Sequence, residues 1–116
     1  MSIFYKNQGF KRADTSKATV LTCPLDGTII VKSIYCANND ASSAILVNMN
    51  FVDSSDSSAE YEFFRDDVDA KSQVNATPQG LNLEAGDAIT VQAATGSNKI
   101  QGVISYALIN RENENG

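Results

Sequence analysis

The sequence predicts an all-β protein, an antiparallel β-sandwich of jelly-roll-like form with about seven to eight strands. Three observations carry that reading. Apolar residues recur at every second position through most of the chain. Clusters of Gly, Pro, Asn, Asp and Ser interrupt these runs every ~8–12 residues. No segment sustains a helical period, and "FFRDDVDAK" (63–71) is the one stretch that could form a helical turn.

Residues 1–15, opening "MSIFYKNQGF", read as an N-terminal arm, residues 16–110 as the sandwich domain, and residues 111–116, "RENENG", as a polar tail. The first predicted strand is 18–23. Asp26-Gly27 then marks a turn, and 29–37, "IIVKSIYCA", is apolar on both faces apart from Lys32 and Ser33. A strand covered on both sides has that composition. Asn38-Asn39-Asp40 breaks the run. In 45–52, Ile45, Val47, Met49 and Phe51 alternate with a mixed face. "DSSDSS" (53–58) is a turn, followed by a strand at 61–65 and short strands at 74–76 and 81–83. In "LEAGD", Ala85-Gly86 makes a turn at which Gly tolerates positive φ, and Asp87 caps the turn backbone. The last strands are 88–93 and 100–109, with Gly102 a bulge or a point of close approach.

If "PLDGT" turns a hairpin centred on Asp26-Gly27, Cys23 faces Ile30 and Cys36 faces Lys17. The thiols are then not opposite each other, and each is expected to be a free, buried, small hydrophobe.

The chain has 116 residues, enough for one domain with a real core. Its net charge of -5 argues against nucleic acid as a partner, since phosphate contacts require clustered Lys and Arg. No run approaches the ~18 apolar residues of a membrane span, so no membrane partner is expected. The N-terminus shows no apolar signal region, and cytoplasmic synthesis is expected.

Chemistry-bearing residues are scarce. The chain has no His, which removes the usual general base, metal ligand and triad partner. Two Cys alone do not make a zinc site. Asp66, Asp67 and Asp69 resemble the start of a calcium loop, but a loop begun at Asp67 would need Gly where Ser72 stands and Glu where Pro78 stands. Asp53 and Asp56 sit in a Ser-rich turn and are read as backbone caps. The expectation is a protein that is not an enzyme and has no cofactor and no metal. A carbohydrate-binding reading rests on Tyr5, Tyr35, Tyr61 and Tyr106, of which Tyr35 and Tyr106 lie in strongly apolar strands.

The order "FYKNQG", then Val20 to Asp40, then "LNLEAGDAITVQA" (81–93), then "VISYALI" (103–109) resembles a family of small β-sandwich virion proteins of tailed bacteriophages, of the marine and cyanobacterial type. The likeness runs over roughly residues 3–110 and departs at "RDDVDAK" and "RENENG". It implies a virion structural protein made in the host cytoplasm. The first candidate is a capsid decoration or cement protein on the capsid surface, bound to the major capsid protein as a homotrimer. The alternative is a tail, neck or fibre-adaptor protein.

Within such a particle the N-terminal segment is the candidate attachment device. It combines Ile3, Phe4, Tyr5 and Phe10 with Lys6, Lys11 and Arg12, the mixture of apolar anchors and charged rim that gives an interface affinity and orientation. The competing reading is that Ile3, Phe4 and Phe10 close the sandwich of their own subunit. The two-faced apolar strand at 29–37 independently predicts a second cover, most simply another subunit.

Overall fold

The computed structural model describes residues 2–12, 15–94 and 99–110; the tail 111–116 lies outside them. Nine strands form two antiparallel sheets that pack as a sandwich: β1 (Ser2–Arg12), β2 (Ala18–Thr22), β3 (Gly27–Asn38), β4 (Ile45–Asp53), β5 (Ala59–Val68), β6 (Ser72–Asn75), β7 (Asn82–Leu83), β8 (Ala88–Ala93) and β9 (Ile100–Asn110). One sheet, A, runs β1-β9-β3-β6, with β7 also on β3. The other, B, runs β2-β8-β4-β5. First pairs with last, second with eighth, third with sixth and seventh, fourth with fifth. The chain is therefore a set of nested hairpins rolled into two layers, which is jelly-roll winding.

Three sequence expectations change. The N-terminal segment expected to form an arm is strand β1, paired along its length with β9 from Ser2↔Asn110 to Arg12↔Ile100. The hairpin around Asp26-Gly27 does not exist. Residues 24–26 carry the chain from sheet B to sheet A, because Pro24 cannot continue a ladder and Gly27 N–H closes a turn on Pro24 O at 3.2 Å. Cys23 and Cys36 are thus not paired across a hairpin; both are buried and neither forms a disulfide. Finally, "FFRDDV" is extended, not helical. Val68 is fully buried opposite Ile45, and that pairing draws the strand through Asp66 and Asp67.

The core lies between the sheets. Ile29, Ile34, Cys36, Ile100 and Ile104 come from sheet A, and Val47, Met49, Val68, Ile89 and Val91 from sheet B. Polar anchors fix the loops around it. Asn38 is buried. Its amide donates to Ser43 O and Val68 O at 2.9 Å each, and its oxygen accepts Asp40 N–H at 2.8 Å. Asp87 is also buried. One carboxylate oxygen accepts Glu84 N–H at 2.9 Å, closing the turn in which Gly86 sits at φ 84°. The other accepts both the N–H and the hydroxyl of Ser54 at 2.9 Å. One side chain thereby binds the β7–β8 turn to the 3-10 turn (Ser54–Asp56) that links β4 and β5. Asp53 caps that turn, accepting Ser55 N–H at 3.1 Å.

Gly102 is a point of close approach. A Cβ there would stand 2.3 Å from both the Phe10 ring and Tyr35 O. Gly102→Ala is expected to destabilise the fold by about 1–3 kcal/mol, because neither the central backbone nor the packed ring can yield; a lower urea midpoint at unchanged slope reports it. Asp87→Ala is expected to cost about 2–4 kcal/mol through the stranded Glu84 and Ser54 donors, measured the same way.

Candidate functional site

A sandwich of two layers turns one face of each sheet outward, and here the two outward faces differ. Sheet A presents cross-strand rows set by the register. Ile3 stands beside Ile109 and Thr28; Tyr5 beside Ala107 and Ile30; Asn7 beside Ser105 and Ser33; Gly9 beside Val103 and Tyr35. Tyr5 is 75% exposed, Ile3 52%, Tyr35 42%, Ile30 40% and Val103 38%. Ala107, flanked by Tyr5 and Ile30, is only 7% exposed, so the larger neighbours already shield it. Five of the eight large apolar side chains exposed among the described residues lie on this face. It is crossed by a polar row in which Ser105 Oγ donates to Asn7 Oδ1 at 2.6 Å, and ends on a second row of Lys11, Gln101, Ala37 and Gln73. Lys32 Nζ stands 4.8 Å from the centre of the Tyr5 ring, a cation–π contact of ~0.5–1 kcal/mol at an exposed site. A shallow depression of ≈ 260 Å³ opens between Tyr35, Gln73, Gln101 and Val103.

Sheet B presents the opposite character. Its outward rows carry Thr19, Thr90, Asn50 and Glu62, then Thr22, Ala88, Val52 and Glu60. Lys17 Nζ bonds Glu60 at 3.0 Å and Arg65 bonds Glu62 at 2.8 Å. The rims of this face, Thr19, Thr22, Glu60 and Glu62, are exposed, while Asn50, Thr90 and Ala88 at its centre are buried.

The N-terminal candidates divide between these surfaces. Ile3 and Tyr5 belong to the exposed face of sheet A; Lys11 shares their side of β1 and is exposed. Phe4 is 47% exposed at the sheet edge, on the core-facing side of β1 with Leu108 beside it. Lys6 is exposed. Phe10 is buried in the subunit's own core over Gly102. Arg12 ends the strand opposite Ile100. Sequence reasoning missed Ile30, Tyr35 and Val103 as members of one surface with Tyr5. The signal was present in the two-faced apolar pattern of 29–37, but only the β1-β9-β3 order brings these strands together.

Of the tyrosines, Tyr106 is buried, and Tyr61 stacks on Phe51 with ring centres 6.4 Å apart. The Tyr61 hydroxyl donates to Asp56 at 2.9 Å, and this bond with the nearby charge raises its pKa. Asp40 is held below the usual carboxylate range by Ser42 N–H and then Ser43 N–H. Neither is a catalytic arrangement: each is a turn closed by its own side chain. Among the described residues no group of three or more His, Cys, Asp or Glu could hold a metal ion, and no helix is long and apolar enough to cross a membrane.

No family model and no curated protein matches the chain. Solved structures do. The chain is similar to a protein of the disulfide-linked pili that form Bacillus endospore appendages, at 12% identity and TM-score 0.55, covering 94% of this chain and 88% of that one. It is similar to a chain of the acid-stable capsid of Helicobacter pylori bacteriophage KHP30, at 14% identity and TM-score 0.59, covering 97% and 90%. It is also similar to the Drosophila NLP core, described for pentamer formation and histone binding, at 14% identity and TM-score 0.52, covering 95% and 100%. At these identities the likeness establishes the sandwich and its winding, and function must be argued from the surface.

Burial raises the Cys36 thiol to about 11, so at pH 8 almost none is thiolate, the nucleophilic form. Cys23 is equally enclosed. Native protein is expected to leave both thiols unlabelled by a thiol reagent at pH 8, with two reacting after denaturation in urea. Rapid labelling of the native protein would show a mobile core.

Proposed function

We propose that this protein is a non-enzymatic structural subunit of a phage virion, a capsid decoration protein that sits on the shell of the major capsid protein and stabilises it. The observation that carries the reading is the outward face of sheet A. A chain without His or a metal cluster among its described residues displays a row of apolar side chains, Ile3, Tyr5, Ile30, Tyr35 and Val103, beside Lys11 and Lys32. A surface of that kind serves adhesion. The resemblance of the sequence to phage virion proteins and the fold shared with a phage capsid chain support the same class. The occupant of this face is the shell, and the lysines on it call for carboxylates around an apolar patch on the partner. Self-association as a homotrimer completes the proposal.

Because β1 is integral to sheet A, removing residues 2–12 would damage the fold, so point substitutions are the proper test. Tyr5→Glu with Ile30→Glu is expected to leave the melting temperature within a few degrees of the parent but to weaken rebinding to depleted particles by about a hundredfold or more, as truncation of interface anchors does. Undiminished rebinding would place attachment elsewhere. Quantitative mass spectrometry of particles supplies the second test. Hundreds of copies fit a decoration role, whereas copies matching sixfold or twelvefold symmetry fit the tail, neck or fibre-adaptor alternative.

A further inference from the structure

The two long edge strands carry opposite charge and lie on opposite flanks of the sandwich. β1 ends sheet A on one flank, beside β2; β5 ends sheet B on the other, beside β6. β1 holds three basic residues, Lys6, Lys11 and Arg12, and no acidic one. β5 holds four carboxylates, Glu60, Glu62, Asp66 and Asp67, and one arginine. Glu60 and Glu62 are engaged within the subunit by Lys17 and Arg65. Asp66, Asp67, Lys6 and Lys11 are exposed and have no ion-pair partner among the described residues. The neighbouring edges β2 and β6 carry no charge.

We propose that copies of this chain associate head to tail, β1 of one copy adding to β5 of the next, so that sheet A of one subunit continues into sheet B of its neighbour. An edge strand offers a row of unpaired backbone donors and acceptors, and strand addition supplies affinity without a preformed pocket. On β5 the register shift at Phe63 confines the regular row to 64–68, where Asp66 and Asp67 stand. The charges choose the partner edge. β1 against β1 sets lysine against lysine and β5 against β5 sets aspartate against aspartate, both unfavourable across strands; β1 against β5 pairs opposite signs. The contact is heterologous, so it closes into a ring when the rotation between subunits permits and extends into a filament when it does not. The proposal deepens the self-association named above but does not depend on the shell-docking face, because it uses the edge of β1 and not the outward face of sheet A.

The test is a charge swap on the full chain, read by sedimentation velocity and light scattering at low salt. Lys6→Glu with Lys11→Glu makes both edges acidic; Asp66→Lys with Asp67→Lys makes both edges basic. Wild type is expected to associate. Each variant alone should associate about a hundredfold more weakly, and an equimolar mixture should recover association between unlike variants, since each reversed edge then finds an opposite. Strict alternation closes only even-numbered rings, so the mixture is read as mixed pairs and open or even-numbered assemblies and not as a trimer. Ile30→Glu should associate as wild type does, which separates this contact from the docking face. A monomeric wild type across the accessible concentration range, variants that assemble unchanged, or a mixture that stays monomeric would each overturn the proposal. Should a charge variant fail to fold, amide exchange on wild type decides the matter. Protection of β1 and β5 that grows with concentration upholds the contact, and protection that stays constant refutes it.

Discussion

Sheet A cannot close until the end of the chain arrives. β9 supplies the ladder to β1 on one side and to β3 on the other, in a register that runs from Gly27↔Asn110 to Asn38↔Ile100. It also contributes Ile100, Ile104 and Tyr106 to the core and the bare backbone at Gly102 over which Phe10 lies. Segments roughly 60 to 80 positions apart must therefore meet to satisfy β3, and segments about 90 to 110 apart to satisfy β9 on its other side. Loop closure of that length is paid before its contacts reward it, which places the fold among slow, topologically demanding ones. The nested pairing eases the search: β4 and β5 are joined by a short turn, and each outer pair is brought together by the one inside it.

That dependence explains what the sequence reveals and what it conceals. Local periodicity is set by side chains two apart, so 45–52, 88–93 and 100–109 announce themselves as strands, and Gly86 and Asp87 as the makers of a turn. Pairing is set by distant segments and leaves no local mark. β1 looked like an arm because Lys6, Asn7, Gln8 and Lys11 dilute its alternation; as an edge strand it needs only Phe10 in the core. The supposed hairpin at Asp26-Gly27 failed for the same reason. A turn sequence specifies a reversal of direction, whereas Pro24 and the engagement of Cys23 N–H by Asp87 O at 2.8 Å specify a change of layer. The candidate surface was legible as composition, in the two-faced run 29–37, but not as geometry.

The same central position gives sheet A its outward character. β3 and β9 are flanked on both sides, and β-branched and aromatic residues suit such strands on either face. On the inward face that preference builds the core. On the outward face it leaves Ile30, Tyr35 and Val103 standing in water, a cost that nothing within the described subunit removes. Sheet B escapes it because Asn48, Asn50, Thr90 and Gln92 occupy the equivalent outward rows. This difference between the two faces is the observation on which the proposed adhesive role rests.

Edges complete the argument. A two-layer jelly roll leaves four edge strands, and unprotected edges recruit one another indiscriminately. Here two are defended by shape: β2 has a register shift between Thr19 and Leu21, and β6 is only four residues long. The other two, β1 with eleven residues and β5 with ten, are long enough to template a neighbour. β5 carries a register shift of its own at Phe63, so its regular run is 64–68. What marks both long edges is charge, and charge is selective where shape is not. Lys6 and Lys11 disfavour a second lysine and favour carboxylate, so opposite signs on opposite flanks weigh against the two symmetric pairings and favour one directional pairing. Under the head-to-tail proposal, shape on the short edges and charge on the long ones act together to favour one pairing of copies over the others.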